Sequence, residues 1–164
     1  MNKEDTLSEV SKHLNPIAVL LRGGGLLVSD DAEEAISEKH LSSETFKAFT
    51  RYSTDESSPQ EQGDRFRYRF EYEMGVRLVD ESLSSESSDF AKVVIEAKFE
   101  AQYTSNQCFD DESLSTFGKL NAEYHIWPYW REYVQSVCQR AGIPVISIGL
   151  NRGFMKAVQK DSES

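Results

Sequence analysis

Residues 65–78 read RFRYRFEYEMGVRL, with an apolar or aromatic side chain at every second position. Alternate residues of a β-strand point to opposite sides of a sheet, so this period of two predicts a strand with one buried and one solvated face. At about 3.3 Å per residue this strand is about 45 Å long, well beyond the usual length. Residues 91–103, AKVVIEAKFEAQY, alternate in the same way. The acidic, serine-rich linker 80–89 indicates that the two strands form a long hairpin.

Two weaker strands precede this hairpin. Residues 17–29 are apolar but are interrupted by the glycine triplet 23–25, and residues 45–52 carry scattered aromatic side chains. The triplet has neither the spacing nor the following Lys-Ser/Thr of a phosphate-binding loop, so it predicts a bulge or bend in a strand. A short helix is expected at 31–38, and residues 53–63, rich in serine and acids, predict a flexible loop.

The pattern changes to helices after residue 103. Residues 110–124 begin with three acids, which favour a helix N-terminus. A second helix follows, with Pro128 predicted in its first turn and with Gly142 and Pro144 as its stop signal. The apolar arc of this helix covers about half of its circumference. An arc of that width indicates contact with two surfaces rather than with one sheet.

The predicted fold class is α+β: a four-stranded antiparallel sheet of long strands with two or three helices packed on one face. The length of 164 residues predicts a single domain, in which residues 1–14 and 156–164 are flexible.

Charge and composition restrict the location and the partners. Acidic side chains outnumber basic ones by 28 to 18, and the net charge of −10 argues against nucleic acid and anionic lipid as partners. Residues 1–14 lack the apolar stretch of a signal peptide, and the longest apolar run, 17–28, is too short to span a bilayer. Cys108 and Cys138 have no CxxC spacing, so we expect reduced thiols in the cytoplasm.

No catalytic or metal-binding group is expected. His13, His40 and His125 are isolated in the sequence, without the paired spacing of zinc ligands. Neither cysteine has a paired base nearby, and acid pairs on the strands have a solvated face as their ordinary explanation. The chain is therefore predicted not to be an enzyme.

A family resemblance rests on the second helix. Residues 126–134 read IWPYWREYV and residues 140–144 read RAGIP. This resembles the helix signature of the SecB family: an aromatic residue, Pro-Tyr, an Arg-Glu pair two residues later, then a glycine and an apolar-Pro turn. Residues 99–103, FEAQY, resemble the last strand of that family, and four strands before two helices is the family's order.

The resemblance implies an ATP-independent chaperone, or holdase, that binds unfolded polypeptides. Such a protein keeps preproteins competent for export and delivers them to SecA. It uses no cofactor, and it assembles as a homotetramer, a dimer of dimers whose helices lie between the sheets of different subunits. Residues 151–157 depart from the Asn-Phe-Asp segment of the translocase members. A relative dedicated to one client, such as the antitoxin of a toxin–antitoxin system, therefore remains an alternative. A small-ligand-binding or enzymatic α+β domain, with its cavity between sheet and helices, is a second one.

Two groups of residues are the candidate sites. The aromatic side chains are interpreted either as core and oligomer interface or as an apolar groove for clients. They are Phe66, Tyr68, Phe70, Trp127, Tyr129, Trp130 and Tyr133. The resemblance further implies that acids on the exposed sheet face dock a basic tail of SecA, and Glu96 and Glu100 are the candidates for that contact.

Overall fold

The sheet consists of four long antiparallel strands. The computed structural model describes residues 3–38, 41–57 and 63–149. The strands are β1 (Asn15–Val28), β2 (Leu41–Glu56), β3 (Phe66–Asp80) and β4 (Ala91–Ser105). Their order in the sheet is β1-β4-β3-β2, so the hairpin of β3 and β4 is central and β1 and β2 are the two edges.

The central hairpin confirms the prediction from its period of two. In the register of β3 and β4, Tyr68 faces Tyr103 and Tyr72 faces Phe99. These side chains share the face that the helices cover, and they are buried. The opposite face, which we call the open face, carries the charged residues of both strands. The four-stranded antiparallel sheet and the α+β class are therefore confirmed.

The two edge strands differ from their predicted bounds. The glycine triplet of β1 coincides with a register shift between Leu21 and Gly23, as the predicted bulge requires. By contrast, β2 continues to Glu56, so the flexible loop predicted for residues 53–63 starts too early. Backbone hydrogen bonds to β3 extend this polar strand. Thr54, for example, pairs with Tyr68 although the residues around Thr54 show no apolar alternation. Residues 58–62 lie outside the described residues.

Four helices accompany the sheet in the described part of the chain. They are α1 (Lys3–His13), α2 (Ala32–Glu38), α3 (Asp111–Phe117) and α4 (Glu123–Ala141). Asp110 caps α3 by accepting a hydrogen bond of 2.8 Å from the Ser113 amide, which lowers the pKa of the Asp110 carboxyl. The helix expected at 31–38 is present as α2.

The junction between the last two helices departs from the prediction. A π-helical segment, Gly118–Ala122, joins α3 directly to α4. The prediction that Pro128 lies in the first turn of its helix is wrong, because α4 starts at Glu123 and contains this proline. Proline has no amide hydrogen, so the Tyr124 carbonyl lacks its usual donor there. The helix nevertheless continues, because its apolar side is held against the sheet.

The N-terminal segment also differs from the prediction of a flexible stretch. Residues 3–13 form α1, in which Val10 is buried together with the following Leu14. The Asn121 side chain donates a hydrogen bond of 2.6 Å to the Ser11 hydroxyl, which ties α1 to the π-helical segment. Leu7, Val10 and Leu14 stand at positions i, i+3 and i+7, the spacing of an amphipathic helix that packs through one side. The C-terminal stretch 156–164, expected to be flexible, lies outside the described residues.

Gly24 sets how closely α4 approaches β1. A Cβ atom at this position would overlap the Tyr133 hydroxyl and lie 3.2 Å from the Glu96 carbonyl oxygen. Gly25, on the open face, has nothing within 4 Å of the same position. Of these two neighbouring glycines, Gly24 is required for helix packing and Gly25 is not.

We expect Gly24→Ala to lower the free energy of unfolding by about 1–3 kcal/mol, because the added methyl group overpacks the contact between β1 and α4. Gly25→Ala is the matched control and should be neutral or stabilising. Urea unfolding measures both. Adding Tyr133→Phe to Gly24→Ala should recover part of the loss, and the absence of any recovery would contradict this packing.

Candidate functional site

The aromatic stripe of β3 belongs to the core. Phe66, Tyr68 and Phe70 are all buried. Phe70 contacts Phe117 of α3 with ring centroids 5.3 Å apart, and the Tyr68 hydroxyl donates to the Gln107 carbonyl at 2.8 Å. These three predicted site residues therefore lie beneath the helix layer in this chain.

The aromatic residues of α4 divide between core and surface. Trp130 is 1% exposed and stacks on Tyr133 at 6.2 Å. Tyr133 and Trp127 are half-buried, whereas Tyr129 is 50% exposed. Of the predicted aromatic site residues, Tyr129 is the most exposed, and Trp127 and Tyr133 are partly exposed.

Residues 143–149, which we call the strap, provide the second surface that the wide arc of α4 requires. Gly142 adopts a left-handed conformation (φ 68°) and ends α4, and the Ile143 amide donates to the Cys138 carbonyl at 3.1 Å. The Trp127 indole N–H donates to the Gly149 carbonyl at 2.8 Å. Six extended steps span about 20 Å, which matches the rise from Trp127 to Cys138, about 17 Å. The strap therefore runs back along α4.

Three isoleucine side chains hold the strap in place. Ile143, Ile146 and Ile148 are buried in the same cluster as Trp130, while Val145 is exposed. Burial of one such side chain contributes about 1.5–3 kcal/mol, and ordering the backbone costs about 1–2 kcal/mol per residue. Docking of the strap therefore rests on these three buried side chains and on the hydrogen bond from Trp127.

The edge strand β1 exposes apolar side chains on both of its faces. Leu21 is 50% exposed on the helix side, and Leu26 and Val28 are exposed beside it. Leu27, on the open face, is 72% exposed. The helix layer reaches β1 at Gly24, and Val19 packs against the core, whereas Leu21, Leu26 and Val28 stay exposed. This strand was absent from the predicted site residues, although its apolar run with Arg22 as its one charge was visible in the sequence.

Most charges on the open face are paired across the strands. The ion pairs are Arg22–Glu100, Arg51–Glu71, Arg69–Asp55, Arg77–Glu44 and Lys98–Glu73. Each pair joins side chains of two different strands. The open face is consequently balanced in charge, although the chain as a whole is strongly acidic.

The two predicted docking acids occupy different environments. Glu100 is 7% exposed and accepts hydrogen bonds from Arg22 at 2.9 Å and from Gln102 at 2.6 Å. Burial raises the pKa of Glu100, but these hydrogen bonds and the charges of Arg22 and Arg69 outweigh burial and lower it. Glu96 is exposed and lies in register between Gly25 and Gly75. No ion pair involving Glu96 is present among residues 3–38, 41–57 and 63–149.

Two shallow depressions lie on the open face. One, of about 270 Å³, is lined by the glycine triplet, Phe46, Glu73, Glu96 and Lys98. The other, of about 250 Å³, lies beside Arg22, Arg51 and Glu71. Neither lies between sheet and helices, where the small-ligand alternative places its cavity. In the described part of the chain, no cluster of three His, Cys, Asp or Glu side chains suits a metal ion, and no helix is long and apolar enough to cross a membrane.

Comparison with known proteins identifies the fold. No protein-family model matches the sequence, and no curated protein matches it. Among solved structures, the chain is similar to the Mycobacterium tuberculosis SecB-like chaperone Rv1957 in complex with a ChAD peptide from the Rv1956 HigA1 antitoxin. The TM-score is 0.67 at 12% identity, over 90% of this chain and 96% of that one. The SecB-like fold implied by the sequence resemblance is therefore confirmed.

We expect Glu100→Gln to lower the free energy of unfolding at pH 7 by about 1 kcal/mol, since Arg22 loses its charged partner. Because the pKa of Glu100 is lower in the folded chain, its contribution is present above the unfolded value of about 4.3 and is lost as the pH falls below it. The variant should therefore lose less stability than the wild type between pH 5 and pH 3 (about the range of this titration).

Glu96→Gln is the control for this experiment, because its carboxylate is exposed. It should leave both the stability at pH 7 and its pH dependence close to those of the wild type. Urea unfolding at a series of pH values measures both variants. Superimposable profiles for Glu96→Gln and Glu100→Gln would contradict the buried network.

Proposed function

We propose that this chain is an ATP-independent chaperone of the SecB-like type, which binds extended, unfolded polypeptide segments in the cytoplasm. The observation that carries the proposal is the exposed apolar surface of β1, formed by Leu21, Leu26, Leu27 and Val28 on a strongly charged chain. Several exposed large apolar side chains along one edge strand mark an interaction site. The mycobacterial structure with the same fold holds a peptide, which supports a polypeptide as the ligand.

Binding would rest on side-chain burial along β1 and the neighbouring α4. The helix side of β1 offers branched aliphatic side chains, and Tyr129 adds an exposed aromatic ring on α4. Such contacts accept many sequences, because burial of apolar area is not directional. Each contact is weak, so several sites acting together on one long client would supply the affinity.

Homo-oligomerisation follows from the same strand. The outer edge of β1 is unpaired within the described chain, and an apolar edge of 14 residues is a template for pairing with another copy. Edge-to-edge pairing uses backbone groups, so Leu21 and Leu26 of each copy remain available on the helix side. A dimer formed in this way, doubled into a tetramer, would join several client surfaces in one particle.

The open face favours a chaperone dedicated to one client over delivery to SecA. Docking a basic tail requires a surplus of carboxylates, but the acids here are paired with arginines and lysines across the strands. Glu100 is buried in such a pair, and Glu96 remains as the one exposed candidate of the two. An antitoxin-like client, as in the mycobacterial complex, is consistent with this face.

The central test is capture of an unfolded protein. We expect the chain to bind reduced, carboxymethylated α-lactalbumin, and to suppress aggregation of a denatured test protein, without ATP. Light scattering follows the aggregation, and size-exclusion chromatography with multi-angle scattering gives the mass of the free chaperone and of the complex. Unchanged aggregation at stoichiometric chaperone would refute the proposed function.

Variants of β1 test the surface itself. Leu21→Lys and Leu27→Lys place charges on the two exposed faces of the strand, so we expect a smaller oligomer and at least about tenfold weaker client binding, equal to the loss of about 1.4 kcal/mol. Leu83→Lys is the matched control, because Leu83 is an exposed leucine in the linker between β3 and β4. Equal effects of all three substitutions would remove β1 from the proposal.

Docking to SecA is tested separately with Glu96→Lys. If this chain delivers clients to SecA, the substitution should abolish binding to the basic SecA tail while oligomer mass and client capture stay unchanged. A dedicated chaperone is expected to show no salt-sensitive binding to that tail with Glu96 or with Lys at position 96. Surface plasmon resonance at two salt concentrations distinguishes the two results.

A further inference from the structure

We propose that the surface of α4 beneath the strap is itself a binding groove for an extended client segment, and that the strap is its exchangeable internal occupant. The inference rests on the proposed function and adds a second client surface, separate from β1. In this view the chain covers the groove with its own residues 143–149 until a client segment replaces them.

The contacts of the strap are those that an extended client would make. Ile146 and Ile148 point into the core, whereas Val145, before them, and Ser147, between them, are exposed. Within the part of the chain that the structure describes, no backbone hydrogen bond reaches residues 145–148. The segment is held by side chains that insert into the groove and by the indole donor of Trp127 at its far end.

Secondary structure does not fix the strap. An element of the fold is normally tied by a ladder of backbone hydrogen bonds. Among residues 3–38, 41–57 and 63–149, the strap makes none of these bonds beyond Ile143, where α4 ends. Its departure would leave the helices and the sheet with all of their own backbone hydrogen bonds. It would also uncover apolar side chains along α4, which a client segment of similar shape would cover again.

The groove specifies the chemistry of its occupant. It accepts branched aliphatic side chains at two alternate positions, those of Ile146 and Ile148. A third such side chain takes the position of Ile143, three residues before Ile146. Trp127 offers an N–H donor to a main-chain carbonyl, a group that every polypeptide has. The preferred client is therefore an extended segment rich in Ile and Val with no charge at the two buried positions.

Competition by the strap reduces the apparent affinity for such a segment. If the strap occupies the groove in about nine molecules of ten, the dissociation constant measured for a client is about tenfold higher than that of the open groove. Releasing the strap should therefore tighten binding, whereas removal of an ordinary structural segment would weaken it.

The test uses two double variants of the full chain. Ile146→Asp with Ile148→Asp prevents docking of the strap, and Val145→Asp with Ser147→Asp places the same charges on its exposed positions as the control. The probe is a fluorescein-labelled synthetic peptide that copies residues 142–149, GIPVISIG. Fluorescence anisotropy should give a Kd about tenfold lower for the first variant than for the wild type, with the control unchanged. A peptide carrying Asp at the positions of Ile146 and Ile148 should not bind.

A second measurement tests the proposal even if the variant with Asp at positions 146 and 148 does not fold. Ile146→Cys in a Cys108→Ser background places a thiol beneath the docked strap, and Cys138 in the core serves as an internal control. Adding the unlabelled peptide should increase the rate at which the new thiol reacts with a maleimide, while Cys138 stays protected. An unchanged rate at saturating peptide, or weaker peptide binding by the folded Asp variant, overturns the proposal.

The proposed chaperone function and the proposed exchange of the strap can be refuted separately. A chain that does not capture carboxymethylated α-lactalbumin, yet binds the strap peptide and exposes the thiol, has an exchangeable strap without the proposed chaperone function. A chain that captures the unfolded protein through β1 but never releases the strap retains the function, and the groove under the strap is then refuted.

Discussion

Burial of the β3–β4 hairpin beneath α3 and α4 is the contact on which the rest of the structure depends. The aromatic side chains of the hairpin meet Phe117 and Trp130 across this layer, and Tyr103 packs edge-on against Phe70 and Phe117 at 5.6 and 5.2 Å. The buried tyrosines satisfy their hydroxyls locally: Tyr72 donates to the Gly118 carbonyl, and Tyr103 pairs with His125. Burial accordingly raises the pKa of both phenols. Because the hairpin is central, both edge strands inherit their register from it.

The two edges of the sheet then acquire different properties. β2 carries charges along its length, among them Glu44, Lys47 and Arg51, which discourage association with another strand. The one charged side chain of β1 is Arg22, which forms an ion pair with Glu100. An apolar edge on a chain of net charge −10 is unusual for a protein that works as a monomer. The proposed client binding and self-association both draw on this asymmetry.

The strap and β1 show two ways of managing apolar surface. The chain covers α4 with its own residues 143–149, whereas it leaves Leu21 and Leu27 of β1 uncovered. A covered surface costs little solubility and opens when a better occupant arrives, while an uncovered one is available at once. The proposed chaperone function would use both surfaces, because each can bury the apolar side chains of an unfolded client.

The sequence by itself determined the secondary structure of the centre. The alternation in 65–78 and 91–103 reports local geometry, since side-chain direction in a strand depends on adjacent residues alone, and the aromatic motif at 126–134 pointed to the SecB-like fold. Tertiary structure decided the rest. Glu96 and Glu100 share one polar face in the sequence pattern, yet Glu100 is buried by Arg22, 78 residues away. Ile146 and Ile148 follow a helix stop, and nothing local indicates that they return to Trp127. Exposure of β1 depends on strand order. Such contacts join residues distant in the chain, so no local period records them.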